Sequence, residues 1–122
     1  MYELTEEQFV KFCEYANHHM VTLGMTDWRL FFDTTTEGDF FAHFDCSAMD
    51  RTAKITLNLI WPEQPTPERL SRVAYHEVLE ILLTPLKFVS DMMLPDEQRK
   101  WMYATETHVI IRRLEYAKFG DW

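Results

Sequence analysis

Val73-Ala-Tyr-His-Glu-Val-Leu-Glu-Ile-Leu-Leu83 decides the reading of this chain. Every position in it is apolar or aromatic except His76, Glu77 and Glu80. A helix that is apolar on nearly every side belongs in a protein interior. At about 100° per residue, the three polar side chains fall within an arc of about 100°. Glu77 lies inside the stripe formed by Leu70, Ala74 and Ile81, not on a polar face. Two carboxylates side by side in an apolar setting are costly unless protons or a cation compensate. These residue types point either to a metal site or to a polar network closed by arginines, with Arg72, Arg112 and Arg113 available.

Upstream of this helix, Thr66 is a good N-cap and Pro67 a good first helical residue, so the helix is expected over about 67–83, stopping at Thr84-Pro85. The connector Trp61–Pro67 carries three prolines and suits neither a helix nor a central strand. Before it the period is two. Trp28–Asp33, Phe40–Cys46 and Thr52–Leu59 read as strands, with Ala53, Ile55, Leu57 and Leu59 alternating cleanly against polar neighbours. Thr5 and Gln8 form a capping-box pair, and Phe9, Phe12, Ala16, Met20 and Leu23 recur at helical spacing, predicting a first helix over about 6–23 that ends at Gly24.

Downstream, residues 85–95 read as a loop or short helical turn, and Pro95-Asp-Glu opens a last helix running to Phe119 and Gly120. The whole is one α+β domain, residues 1–122, in the order α-β-β-β-α-α. Its small, mainly antiparallel sheet is expected as a meander packed on the 67–83 helix. On the last helix, Glu106 shares a face with Met102, Tyr103, Val109 and Ile110 and is expected to face the core and meet His76 and Glu80. His108, about 200° away, and Glu115 are expected on the outer, solvated side.

His76-Glu77-Val78-Leu79-Glu80 resembles the zincin motif H-E-x-x-H with its last histidine replaced by glutamate. The stretches Ala74–Glu80 and Glu106–Glu115 are similar to the A-x-H-E-x-x-H and E-x-x-V-I-x-x-L-E helices of small zincin-like proteins encoded by bacteriophages. The resemblance implies a minimal zincin-like fold with metal ligands His76, Glu80 and Glu106. Glu77 would be the general base for a metal-bound water that attacks an amide carbonyl. It also implies that the Thr52–Leu59 strand offers its edge to an extended peptide. Zn²⁺ is the expected ion, or a harder one such as Mn²⁺ because carboxylate outnumbers imidazole. The replacement at Glu80 leaves open a zincin-derived protein that has lost catalysis and acts as an acidic interaction protein, such as a phage inhibitor or assembly factor. A third reading, a di-metal carboxylate bundle on Glu77, Glu80 and Glu106, is opposed by the three predicted strands.

Composition supports a self-sufficient domain. Hydrophobic residues make up 47% of 122 positions and aromatic ones 15%, enough for a core without disulfides or a structural metal. A net charge of −8 argues against nucleic acid as a partner and leaves peptide or protein partners. No apolar run is long enough for a membrane span, and the acidic N-terminus lacks a signal-peptide pattern, so a cytoplasmic location is expected, the host's if the chain is phage-encoded. Cys13 and Cys46 are expected as free thiols. His18, His19 and His43 have no spacing that supports a second site. Tyr75 is either a core tyrosine or a group that steadies a tetrahedral intermediate.

Overall fold

The capping box forms as read: the Gln8 N–H donates to Thr5 Oγ1 (3.2 Å) and the Thr5 N–H to Gln8 Oε1 (2.8 Å). It opens helix α1, Glu6–Thr22, which ends at Leu23 with Gly24 in the left-handed region at φ +72°, where a side chain would be strained. The computed structural model describes residues 1–93 and 96–122, apart from the side chains at 90, 99, 100 and 102–104. Around α1, the other elements are β1 (Tyr2–Glu3), β2 (Arg29–Thr35), β3 (Ala42–Ser47), β4 (Thr52–Asn58), β5 (Ile60–Trp61), α2 (Pro67–Met93), α3 (Asp96–Trp101), a π-helical segment Met102–Thr107, and α4 (His108–Phe119). The fold is mixed α+β, with small sheets and four α-helices among the described residues. None of those helices is long and apolar enough to cross a membrane.

The three-stranded sheet is not the expected meander. Its order is β2-β4-β3, with β4 in the middle. β3 pairs with β4 antiparallel, Phe44 opposite Ile55, but β2 pairs with β4 in parallel, Phe32 opposite Ile55. Sequence neighbours usually pair, but the link between β2 and β3 is long enough to cross the end of β4. Asn58 holds it there. Its fully buried side chain donates Nδ2 to the carbonyls of Glu37 (3.3 Å) and Gly38 (3.2 Å). The most apolar strand takes the central position, with Ala53, Ile55 and Leu57 all buried.

Helix α2 starts as read, the Arg69 N–H donating to the Thr66 hydroxyl oxygen (3.3 Å). It does not stop at Pro85 but runs through it to Met93. Proline removes one backbone donor and presets a helical φ, so it weakens a helix without forbidding passage. The Thr84 hydroxyl donates to the Glu80 carbonyl (2.9 Å), a local bond that keeps the turn before Pro85 closed. The expected loop over 85–95 is therefore helical as far as 93, and the expected helix start at Pro95 lies outside the described residues.

Both sides of α2 are covered over its first half, Leu70 to Ile81. Leu70, Ala74, Val78 and Ile81 pack with Phe12, Ala16 and Met20 of α1, with β4, and with the fully buried Trp61. Tyr75 and Leu79 pack with Ile111 of α4. The Tyr75 ring lies against His19 (5.0 Å) and Phe119 (5.7 Å), which makes it a core residue. Cys13 and Cys46 are free and half-buried.

This arrangement predicts unequal costs along the sheet. Ile55→Ala should lower stability by about 2–5 kcal/mol, because the side chain is fully buried between the helices and both neighbouring strands. Phe31→Ala, on the solvent face at 55% exposure, should cost no more than about 1 kcal/mol. Denaturant midpoints at an unchanged m-value are the measurement.

Candidate metal centre

One turn of α2 carries the chemistry. His76 and Glu80 are stacked at i and i+4, and Glu77 turns inward beside them. Ligand atoms of His76, Glu77 and Glu80 all lie within 4.8 Å of one another. Glu80 Oε1 is 3.5 Å from His76 Nε2 and 3.0 Å from His108 Nε2. The two imidazole rings face each other at 6.4 Å and 27°. On its other side, His76 Nδ1 lies 2.7 Å from Glu115 Oε1. Glu77 is 5% exposed, and its Oε2 has no hydrogen-bond partner among the described residues.

Two expectations about α4 are overturned. His108 was expected outward and Glu115 in solvent; instead His108 reaches Glu80, and Glu115 is buried against His76. Glu106 is half-buried, and neither it nor His108 joins the residues whose ligand atoms converge. The reason is the helical phase. A uniform 3.6-residue period from 96 to 119 would turn Glu106 inward, but Met102–Thr107 is π-helical. Its i→i+5 bonding accommodates about one extra residue, turning everything after it by about 100°. The inward stripe becomes His108, Ile111, Glu115 and Phe119. Its 3-4-4 spacing was visible in the sequence, but Val109 and Ile110 drew the stripe to the wrong face.

The electrostatics follow from this packing. Burial works against a charge on His76, but hydrogen bonds to Glu115 and Glu80 and the charges of Glu115 and Glu77 outweigh it, raising its pKa to about 10. Glu77 is pushed up to about 8, first by burial and then by the charge of Glu80, with His76 opposing and Glu115 adding. For Glu80, burial is outweighed by hydrogen bonds and charge from His76 and His108, which hold its carboxyl below the usual range.

Among the described residues, the ligand atoms of His76, Glu77 and Glu80 lie close enough together to hold a metal ion. Ligands of a tetrahedral zinc stand about 3.3–3.4 Å apart; Glu80 Oε1 is 3.5 Å from His76 Nε2 and 3.0 Å from His108 Nε2, but His108 does not converge with that group of three. Glu115 on Nδ1 sets the His76 tautomer that leaves Nε2 free to bind a metal. The unpartnered Glu77 oxygen is the buried polar atom that a cation, or a water beside one, would satisfy.

A cleft of about 580 Å³ opens on this turn, within the usual range for ligand sites. His76, Glu77 and Glu115 form one side, Phe40, Phe41 and Ala42 another, and Arg72, Arg112 and Trp122 complete it. The strand at the cleft is β3, not β4 as expected. β4 has both edges paired, whereas β3 is paired, among the described residues, only to β4.

The pKa directions give a signed prediction for metal-free protein. Glu77 is raised, so its contribution to stability is full below pH 4.5 and is lost as pH rises through about 8. His76 is also raised; its contribution is full below pH 6.5 and is lost as pH rises through about 10. Glu77→Gln mimics the protonated carboxyl. Relative to wild type in chelator, it should gain stability steadily from pH 4.5 to 8, by several kcal/mol in all. Melting curves across that range check this; a constant offset would contradict it.

No protein-family model matches the chain, and neither a curated protein nor a solved structure does, so a functional reading rests on the chemistry of this site.

Proposed function

We propose that this chain is a metal-dependent hydrolase of zincin-like fold that acts on an amide carbonyl of a peptide. The observation that carries the reading is the buried carboxyl of Glu77, one oxygen unpartnered among the described residues, which lies with His76 in the wall of a cleft and converges with His76 and Glu80. His76 and Glu80 are the first two metal ligands. His108, 3.0 Å from Glu80 Oε1 but outside the converging group, would turn in on metal binding as the third ligand in place of Glu106, and such a His-Glu-His set suits Zn²⁺ over Mn²⁺. When bound, the ion supplies Lewis-acid polarisation and lowers the pKa of water. Glu115 orients the His76 ring through Nδ1. Glu77 accepts the proton of the attacking water and delivers it to the leaving amine, a task suited to a carboxyl raised toward neutrality. The free edge of β3 lies where an extended peptide could add as a further strand.

A second reading has its own support. The chain Glu115–His76–Glu80–His108 closes without an ion. The second half of α2 also leaves Leu86, Phe88, Val89 and Met92 exposed. Both features suit a zincin-derived interaction protein that has lost catalysis.

Metal content and peptide hydrolysis separate the two. The hydrolase should co-purify with about one divalent ion per chain, bound more weakly at low pH as the ligands protonate. His108→Ala should weaken metal binding at least tenfold, while Glu106→Gln should leave it unchanged. Glu77→Gln should retain the metal and lose hydrolysis; Glu80→His should preserve both. Wild type that neither binds Zn²⁺ or Mn²⁺ nor cuts a peptide library points to the interaction protein.

A further inference from the structure

The cleft carries a positive charge that the hydrolytic reading does not use. Two guanidinium groups line it, in a chain whose net charge is −8. Arg72 is committed: its Nη1 donates to the Gly120 carbonyl (2.7 Å) and its guanidinium lies 5.5 Å over the Trp122 ring. Arg112 is exposed and makes no hydrogen bond, ion pair or ring contact among the described residues. It sits on α4 three residues before Glu115, and so on the same side of that helix. Glu115 does not neutralise it, because that carboxylate is held by His76 at 2.7 Å. In the same cleft, Phe41 meets Trp61 edge-on (4.9 Å) and Trp122 at a tilt (5.6 Å), making an aromatic wall beside the charges.

We propose that the cleft receives the carboxy-terminal end of a peptide, with the terminal carboxylate on Arg112 and a large apolar last side chain against Phe41 and Trp122. The proposal rests on the hydrolytic reading and names the substrate class for that same site. One unpaired guanidinium matches one carboxylate, which it can bind through two parallel hydrogen bonds. A phosphoryl group, with nearly two charges, would call for a second free cation, and Arg72 is already engaged. The aromatic wall gives the apolar side chain a surface to bury. The peptide main chain leads away along Ala42, where the free edge of β3 reaches the cleft. The amide cut is then the one near the C-terminus. One water is consumed: its oxygen adds to the acyl carbon, the C–N bond breaks, and the leaving nitrogen takes the proton.

The test is a binding measurement on the full chain, made both in chelator and with added Zn²⁺. Fluorescence anisotropy compares two dye-labelled tetrapeptides ending in Phe, identical except that one is a free acid and the other a terminal amide. The free acid should bind about tenfold more tightly. Arg112→Gln should bring the ratio below twofold, and Arg112→Lys should keep part of it, with melting temperatures showing that both variants are folded. Equal binding of acid and amide overturns the proposal. So does an acid preference that survives Arg112→Gln, or binding of neither peptide. An acid preference without hydrolysis under any metal would retain this ligand and remove the hydrolase. Hydrolysis of internal bonds without acid preference would do the reverse.

Discussion

Everything in this structure depends on α2 being apolar almost all the way round. A helix with one apolar stripe can lie on a sheet and show its other face to water; α2 has to be covered on both sides. Helix α1 and β4 cover one side and α4 the other. Three polar residues on such a helix are carried inside with it. Their desolvation is offset only by one another and by what α4 brings up. The His76–Glu115 contact at 2.7 Å links the two helices directly. A hydrogen-bonded charged pair at that junction therefore sets how α4 docks as well as how His76 is turned.

The same constraint explains why the carboxyl groups of this turn differ so much in environment. Glu77 is buried next to an ionised neighbour and has no cation of its own. Glu80 and Glu115 share the available imidazoles between them. Three carboxylates within one short stretch of structure thus have different environments: one paired with two histidines, one paired with His76 alone, and one unpaired. Groups of the same type pushed apart in this way are the usual material of acid–base sites. A closed ion-pair network can also arise from packing alone, which is why the metal-free reading keeps its weight.

The cleft is assembled from parts distant in the sequence. The Phe40–Ala42 wall is carried by the end of the β2–β3 link, which Asn58 pins across the end of β4. Trp122 is held over α2 between Arg69 and Arg72 and by a hydrogen bond to Glu63. The crossing that defeats the meander is therefore the feature that brings β3, rather than β4, beside the His76–Glu80 turn.

The sequence by itself determined the elements whose signals are local. The Thr5–Gln8 cap, the Thr66-Pro67 helix start, the alternation in β4 and the motif turn of α2 each depend on residues within a few positions of one another. Local sterics and hydrogen bonding decide such features before any tertiary contact forms. Tertiary structure alone decided three others. Strand order depends on where a six-residue link is anchored, and the anchor, Asn58, is about twenty residues away. Passage through Pro85 depends on whether neighbouring bonds tolerate one lost donor. The partners of His76 and Glu80 depend on the phase of α4, which a π-helical segment advances by about one residue. Periodicity marks a helix and its possible faces. Which face turns inward at His108 and Glu115 was settled only when α4 packed against α2.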